Sequence, residues 1–252
     1  MIRPLILAHF CLCVALLANA VHGETIKVAT ASNFIATAHT LAAEFTRDTG
    51  HTAEIISGAS GKLFAQITHG APFDVFLSAD EIKPRELVRL GHALADTNFT
   101  YAHGQLVLWS QNADLVKNGF PPAEQYRKLA LANARLAPYG LAAQQALKAL
   151  NLVDVTQHKW VQGENISQTL QFALSGSAEL GLIAASQWQT LNQQGSGWLI
   201  PRHLHAPIKQ NAVLLSHAEH NQAARAFISF LRSESAAHII GSAGYLTANK
   251  SE

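Results

Sequence analysis

Apolar and polar positions along this chain alternate between two periods. Thr25–Ala29 switches sides residue by residue, as a strand does, and Phe34, Ala38, Leu41 and Phe45 then recur at the spacing of one helix face. Gly50 marks the end of that helix. The cycle repeats with Ala53–Ile56 as strand and Leu63, Phe64 and Ile67 on a helix. Phe73–Leu77 follows as a buried strand, and Leu87 and Leu90 lie on a helix that Asp80 is placed to cap. Gln105–Trp109 is a further apolar strand. Leu129–Leu136 leads to Pro138-Tyr139-Gly140 and a helix through Leu150. Lys159–Gln162 leads to Asn165 and a helix carrying Ile166, Leu170, Ala173 and Leu174. Leu180–Ile183, Trp198–Ile200 and Ala212–Leu215 read as strands, and Ala223–Arg232 and Ser235–Tyr245 as helices. Strand–helix units in series predict an α/β fold, with helices on the faces of open sheets. Thr100–Gly104 and Pro207–Asn211 are candidates for paired crossings between two lobes.

The first residues change the picture of where the chain works. Arg3 gives a positive start, Pro4–Leu17 is an apolar run broken by His9, and Ala18-Asn19-Ala20 supplies a small-x-small pattern. This predicts a secretory signal peptide over residues 1–23, cleaved after Ala20 or after Gly23. The run is too short for a membrane span. Both cysteines, Cys11 and Cys13, fall inside it, so the mature chain relies on its core rather than on disulfides. A net charge of +1 with 14% charged residues excludes a dedicated nucleic-acid binder, which needs a basic face.

Four strand-to-helix breaks carry the candidate chemistry: Ser32-Asn33, Ser60-Gly61, Tyr139-Gly140 and Asn165-Ile166. A helix start presents unpaired N–H groups and a partial positive charge, which suits an anion. Taken singly, Ser32, Asn33, Ser60 and Asn165 are ordinary helix caps, and Tyr139 is a partly buried aromatic with a satisfied hydroxyl. Jointly, each follows a strand, and open α/β sheets bind ligands at the carboxyl ends of their strands. Converging starts would hold a small dianion by neutral donors alone. The nearest cation is Lys62, one residue into its helix, and the one adjacent acid, Glu164, is expected to point away.

Other motifs fail on inspection. Gly58-Ala59-Ser60-Gly61-Lys62 resembles part of a phosphate loop, but Ile56 and Leu63 stand where a glycine and a Ser/Thr are required. It is no nucleophile elbow either, because Lys62 replaces the second glycine. Thirteen histidines raise a divalent-metal carrier, with the pairs His203/His205 and His217/His220 as its candidates; no carboxylate–histidine grouping accompanies them. The alternatives that stay open are a receptor for sulfate, phosphate or another small oxyanion, a serine hydrolase using Ser60 or Ser32, and the histidine-based metal carrier.

At these same residues the chain resembles the periplasmic molybdate-binding proteins of bacterial ABC importers. The matching stretches are Val28–Phe34, Ser57–Gly61 with Ala65–Ile67, Gly70–Asp80, Gly104–Trp109, Ala137–Leu141, Gly163–Ile166 with Ser175-Gly176, and Glu179–Gly181. The resemblance implies a two-lobed periplasmic-binding-protein architecture, each lobe a mostly parallel sheet flanked by helices, with the ligand in the interlobe cleft. Residues 24–102 plus 212–252 would form lobe 1 and residues 103–211 lobe 2. It implies an extracytoplasmic, periplasmic receptor that captures molybdate and tungstate for a membrane permease. Such a receptor is no enzyme, has no cofactor or directly ligated metal, binds no nucleic acid and works as a monomer. Carried over by position, the oxyanion ligands are Ser32, Asn33, Ser60, Tyr139 and the backbone amide of Ile166. One departure stands out: some members place a tyrosine hydroxyl where this chain has Ala184. Asn33 and Tyr139 are expected to replace that donor.

Overall fold

The computed structural model describes residues 23–246. The expected leader, apart from Gly23, and both cysteines lie outside the described residues. The strands are β1 (Thr25–Ala31), β2 (Thr52–Gly58), β3 (Val75–Leu77), β4 (Phe99–Gly104), β5 (Leu106–Ser110), β6 (Leu129–Ala132), β7 (Trp160–Gly163), β8 (Leu180–Ala184), β9 (Ser196–Leu199) and β10 (Ile208–Leu214). The helices are α1 (Ile35–Thr49), α2 (Ser60–Thr68), α3 (Ile82–Arg89), α4 (Pro138–Ala149), α5 (Val153–Thr156), α6 (Ile166–Leu174), α7 (Ala185–Thr190), α8 (Gln222–Leu231) and α9 (Glu234–Ser242).

Two five-stranded sheets share one plan. The first has the order β2-β1-β3-β10-β4 and the second β7-β6-β8-β5-β9. In each, three neighbouring strands pair in parallel and the fourth position runs against its neighbours: β10 in the first sheet and β5 in the second. The opposed strands adjoin the crossings. The chain leaves the first sheet at the end of β4, passes Gln105 and enters the second as β5; β10 brings it back. The crossing segments pair with each other as anticipated, Gly104 opposite Ile208 and His103 opposite Lys209, with a register slip between Gln210 and Asn211. Residues 103–104 and 208–211, assigned by sequence to lobe 2, therefore run in strands of the first sheet.

Alternation along the strands explains why both faces of each sheet are covered. Ile26 and Val28 of β1 join Leu41 and Phe45 of α1 and Phe227 and Leu231 of α8 in one core. Ala29, facing the other way, meets Leu63 and Ile67 of α2 and Leu87 of α3. In the second sheet Leu106 and Leu108 pack with Ala143 and Leu147 of α4, while Val107 and Trp109 face Ala173 of α6. Fully burying each such Leu or Phe stabilises the fold by about 1.5–3 kcal/mol.

Two sequence expectations shift. Leu90 is 44% exposed, because α3 ends at Arg89 and Leu90 lies beyond the buried stripe. The strand expected over 129–136 stops at Ala132, where Leu136 and Ala137 turn back to hydrogen-bond the Asn133 carbonyl. Asp80 stands one residue before the cap position of α3, which is Glu81, but its carboxylate does accept the Lys83 N–H of the first turn at 3.0 Å.

Candidate functional site

The four breaks follow the carboxyl ends of β1, β2, β6 and β7, the edge parallel strand of each sheet and its neighbour. Parallel strands aim their carboxyl ends the same way, so the segments after them gather at one edge of each lobe. Between the two edges lies a cavity with an empty volume of about 190 Å³. Ser32, Asn33, Ser60, Tyr139 and Ile166 all line it, together with small residues including Ala31, Gly58, Ala59, Ala79 and Ala137. No Asp, Glu, Lys, Arg or His is among the lining residues.

The capping explanation fails for three of the four residues read as caps. Ser32 begins a 3-10 turn whose cap position is Ala31, α1 has Phe34 at its cap, and α2 has Ala59; none of these ends has a side-chain cap. The Ser32, Asn33 and Ser60 side chains are thus free of that duty. Asn165 is a true cap, its Oδ1 accepting the Gln168 N–H at 3.0 Å, which sets Ile166 at the first helical position of α6. The backbone N–H groups of Asn33, Ser60, Tyr139 and Ile166 find no acceptor among the described residues, as the first turn of a helix leaves them.

Ser60 is 1% exposed, and its Oγ accepts the Ala79 N–H at 3.1 Å. That bond occupies a lone pair and leaves the hydroxyl proton to point elsewhere, so Ser60 presents a donor. Tyr139 departs from expectation. It is 1% exposed rather than partly buried, and its hydroxyl, expected to be satisfied, has no partner among the described residues. A Cβ built on Gly104 would lie 2.2 Å from that hydroxyl and 3.1 Å from Ile208, and neither residue lines the cavity. The hydroxyl therefore reaches past the cavity to the crossing strands, and what Tyr139 offers the cavity is its backbone N–H. Burial raises its pKa well above the ordinary tyrosine value, with Tyr245 and Tyr101 adding to the effect, so the ring stays neutral.

Asn33 departs too. Its Nδ2 donates to Gln210 Oε1 at 2.8 Å and to the Tyr245 hydroxyl at 3.1 Å, so both amide protons are spent outside the cavity. The tyrosine hydroxyl near this loop comes from Tyr245, near the carboxyl end of the described chain, which also donates to the Asn33 carbonyl at 2.8 Å. Ala184, where a tyrosine was the alternative, is fully buried at the end of β8.

The lobes touch directly around the cavity. Gly61 N–H donates to the Leu136 carbonyl at 2.9 Å, Ser167 Oγ to the Ser32 carbonyl at 3.0 Å, and Ser186 Oγ to the Asn33 carbonyl at 3.3 Å. Lys62 Nζ meets Glu164 Oε1 at 2.5 Å, so Glu164 faces a cation and not the cavity. Gln187 holds the α6 start by donating to the Ile166 carbonyl at 3.1 Å. Sequence reading missed Ala79, Gln187, Gln210 and Tyr245. Only Ala79 carried a signal, as the end of the Gly70–Asp80 stretch.

The rival chemistries have no matching geometry here. Without a lining histidine, neither Ser60 nor Ser32 has a general base in the cavity. Among the described residues no three His, Cys, Asp or Glu side chains converge on a metal position. His205 contacts the Ala206 carbonyl, and His217 lies 3.5 Å from Asp74.

A model of the bacterial extracellular solute-binding proteins matches residues 26–246. The chain belongs to that family. Among curated relatives of this solute-binding protein, the molybdate-binding protein ModA of Azotobacter vinelandii is 41% identical over 240 residues, covering 91% of this chain and 93% of the relative. ModA of Rhodobacter capsulatus is 42% identical over 226 residues, 89% of each. The solved Azotobacter vinelandii periplasmic molybdate-binding protein superposes with a TM-score of 0.84 at 40% identity, covering 88% of this chain and 98% of that one.

Proposed function

We propose that this solute-binding protein captures molybdate, and tungstate with it, in the periplasm and delivers it to the permease of an ABC importer. The observation that carries the reading is the convergence of the buried residues Ser32, Asn33, Ser60, Tyr139 and Ile166 on one uncharged cavity with unpaired N–H groups at its wall. The 41–42% identity to ModA relatives supports the choice of molybdate over other oxyanions.

The chemistry follows from the donors. A hydrogen bond to a charged partner contributes about 1.5–3 kcal/mol net. Four backbone N–H groups and the Ser32 and Ser60 hydroxyls give about six of them, against the roughly −8 kcal/mol that micromolar affinity requires. The surplus offsets desolvation of the dianion and the ordering of the loops. Neutral donors and no acceptor carboxylate favour a fully deprotonated anion over one carrying its own O–H. Closure follows because Ser32, Asn33 and Ser60 belong to one lobe and Tyr139 and Ile166 to the other, so only the closed form offers every donor. Discrimination against sulfate, equal in shape and charge but smaller, rests on cavity size. In this reading the chain works as a monomer, performs no catalysis and needs no cofactor.

Calorimetric titration with sodium molybdate, tungstate, sulfate and phosphate, chelator present, tests it. Submicromolar binding of molybdate and tungstate with no sulfate heat is expected. Preference for sulfate or phosphate makes it a receptor for another oxyanion, and heat with none of the four refutes the assignment.

A further inference from the structure

We propose that Asn33 and Gln210 turn their side-chain amides together when the anion enters, so that Gln210 is the positioning residue deciding which end of the Asn33 amide faces the cavity. The inference rests on the oxyanion reading of that cavity. An amide's oxygen and nitrogen ends have nearly the same shape and differ in what they pair with. With both Nδ2 protons committed to Gln210 and Tyr245, the Oδ1 end of Asn33 receives no donor from the described residues, on a residue that lines the cavity. A carbonyl oxygen turned toward an oxyanion repels it, whereas the N–H end of the same group attracts it.

Gln210 supplies the second half of the observation. It is fully buried on β10, and its Oε1 accepts from Asn33 Nδ2 and, at 3.4 Å, from the Tyr101 hydroxyl. Its Nε2 has no partner at all among the described residues. A buried amide donor without an acceptor is rare in folded proteins, rarer than an under-satisfied carbonyl. A half-turn of both amides removes this defect. Gln210 Nε2 then donates to Asn33 Oδ1, and Asn33 Nδ2 is released toward the cavity. The unpaired atom left behind is the Gln210 oxygen, the less costly of the two.

The turn has an opposing side, which makes it a two-state device. Tyr245 loses Asn33 Nδ2 as a donor but keeps its 2.8 Å bond to the Asn33 carbonyl. Tyr101 loses an acceptor but keeps the Ser78 carbonyl at 3.3 Å and can accept from the turned Gln210. The anion interacts differently with the two arrangements and so shifts their populations. Because Gln210 sits on β10 beside the register slip in the crossing strands, the pivot belongs to the connection between the lobes.

The test is a side-chain amide ¹⁵N NMR titration of the full protein with sodium molybdate, paired with calorimetry. Loss of peaks in Asn33→Ala and Gln210→Met assigns the two NH₂ pairs. Both pairs of the unmodified protein are expected to move together on saturation. Gln210→Met should weaken molybdate binding about 5–10-fold in the native background and less than about 2-fold in the Asn33→Ala background, the signature of a coupled pair. Calorimetric binding with both NH₂ pairs unmoved overturns the proposal while leaving the oxyanion site standing, as does an equal loss in the two backgrounds. Absence of binding to any oxyanion overturns both.

Discussion

Replacing Tyr139 by Phe separates what its backbone does from what its hydroxyl does. The hydroxyl is fully buried against Gly104 with no partner among the described residues, while the ring is held by the second-lobe core. A buried polar group left unpaired costs about 1–3 kcal/mol, and Phe removes that cost while keeping the ring volume. Tyr139→Phe should therefore stabilise the protein by about 1–2 kcal/mol, which for a chain of this size raises Tm by about 2–8 °C in a calorimetric scan. Molybdate affinity should hold within about 2-fold, since the backbone N–H at the start of α4 is untouched. Gly104→Ala probes the same contact from the other side. Its new Cβ would sit 2.2 Å from the Tyr139 hydroxyl oxygen, and overpacking of this kind costs about 1–3 kcal/mol. Part of that loss should return when Gly104→Ala is combined with Tyr139→Phe. Recovery stays partial, because the ring carbon is still 2.9 Å away and Ile208 3.1 Å away. A Tyr139→Phe protein that melts lower, or binds molybdate tenfold more weakly, would refute the assignment of the hydroxyl.

Other outcomes follow from the same geometry. Ser60→Ala removes a hydroxyl donor and orphans the Ala79 N–H, so molybdate should bind about 10–100-fold more weakly by calorimetry. Glu164→Gln breaks the ion pair with Lys62, but both side chains are about half exposed (44% and 50%), so stability should change by less than about 1 kcal/mol. Any faster molybdate release in that variant should fade as salt is raised in stopped-flow traces. With no titratable carboxylate, lysine or histidine in the lining, affinity should be flat from about pH 6 to 9; a break there would reveal an ionising ligand. Alkaline stability should not be flat. Burial raises the pKa of Tyr101 and Tyr139 well above the ordinary value, so from about pH 10 upward the unfolded chain ionises these tyrosines and the folded one does not. Their contribution is complete below about pH 10 and declines as pH rises toward the folded values, which chemical denaturation at stepped pH would register.

What the sequence made legible divides along the range of the interactions. Period-2 and helix-period patterns located β1, α1, α8 and the parallel strands, because those elements bury a face set by spacing alone. The four helix starts were legible for the same reason, since each follows a strand end and the topology brings strand ends together. The direction of a side chain at those starts was not. Asn33 is turned away by Gln210 and Tyr245, 177 and 212 residues further along the chain, and the Tyr139 hydroxyl is drawn past the cavity by the space over Gly104. Neither neighbour is encoded near the residue it redirects. Leu90 was misread because period alone does not say where a helix stops. The crossings were located by pattern at Thr100–Gly104 and Pro207–Asn211, but the membership of these strands in the first sheet came only from the pairing.

The most direct measurement is anomalous diffraction at the molybdenum edge from crystals grown with sodium molybdate. The account predicts a single strong peak enclosed by the Ser32–Asn33 turn, Ser60 and the starts of α4 and α6, with oxygens facing the backbone N–H groups of Tyr139 and Ile166. A peak elsewhere on the molecule, or none in crystals that hold the lobes closed, would contradict it.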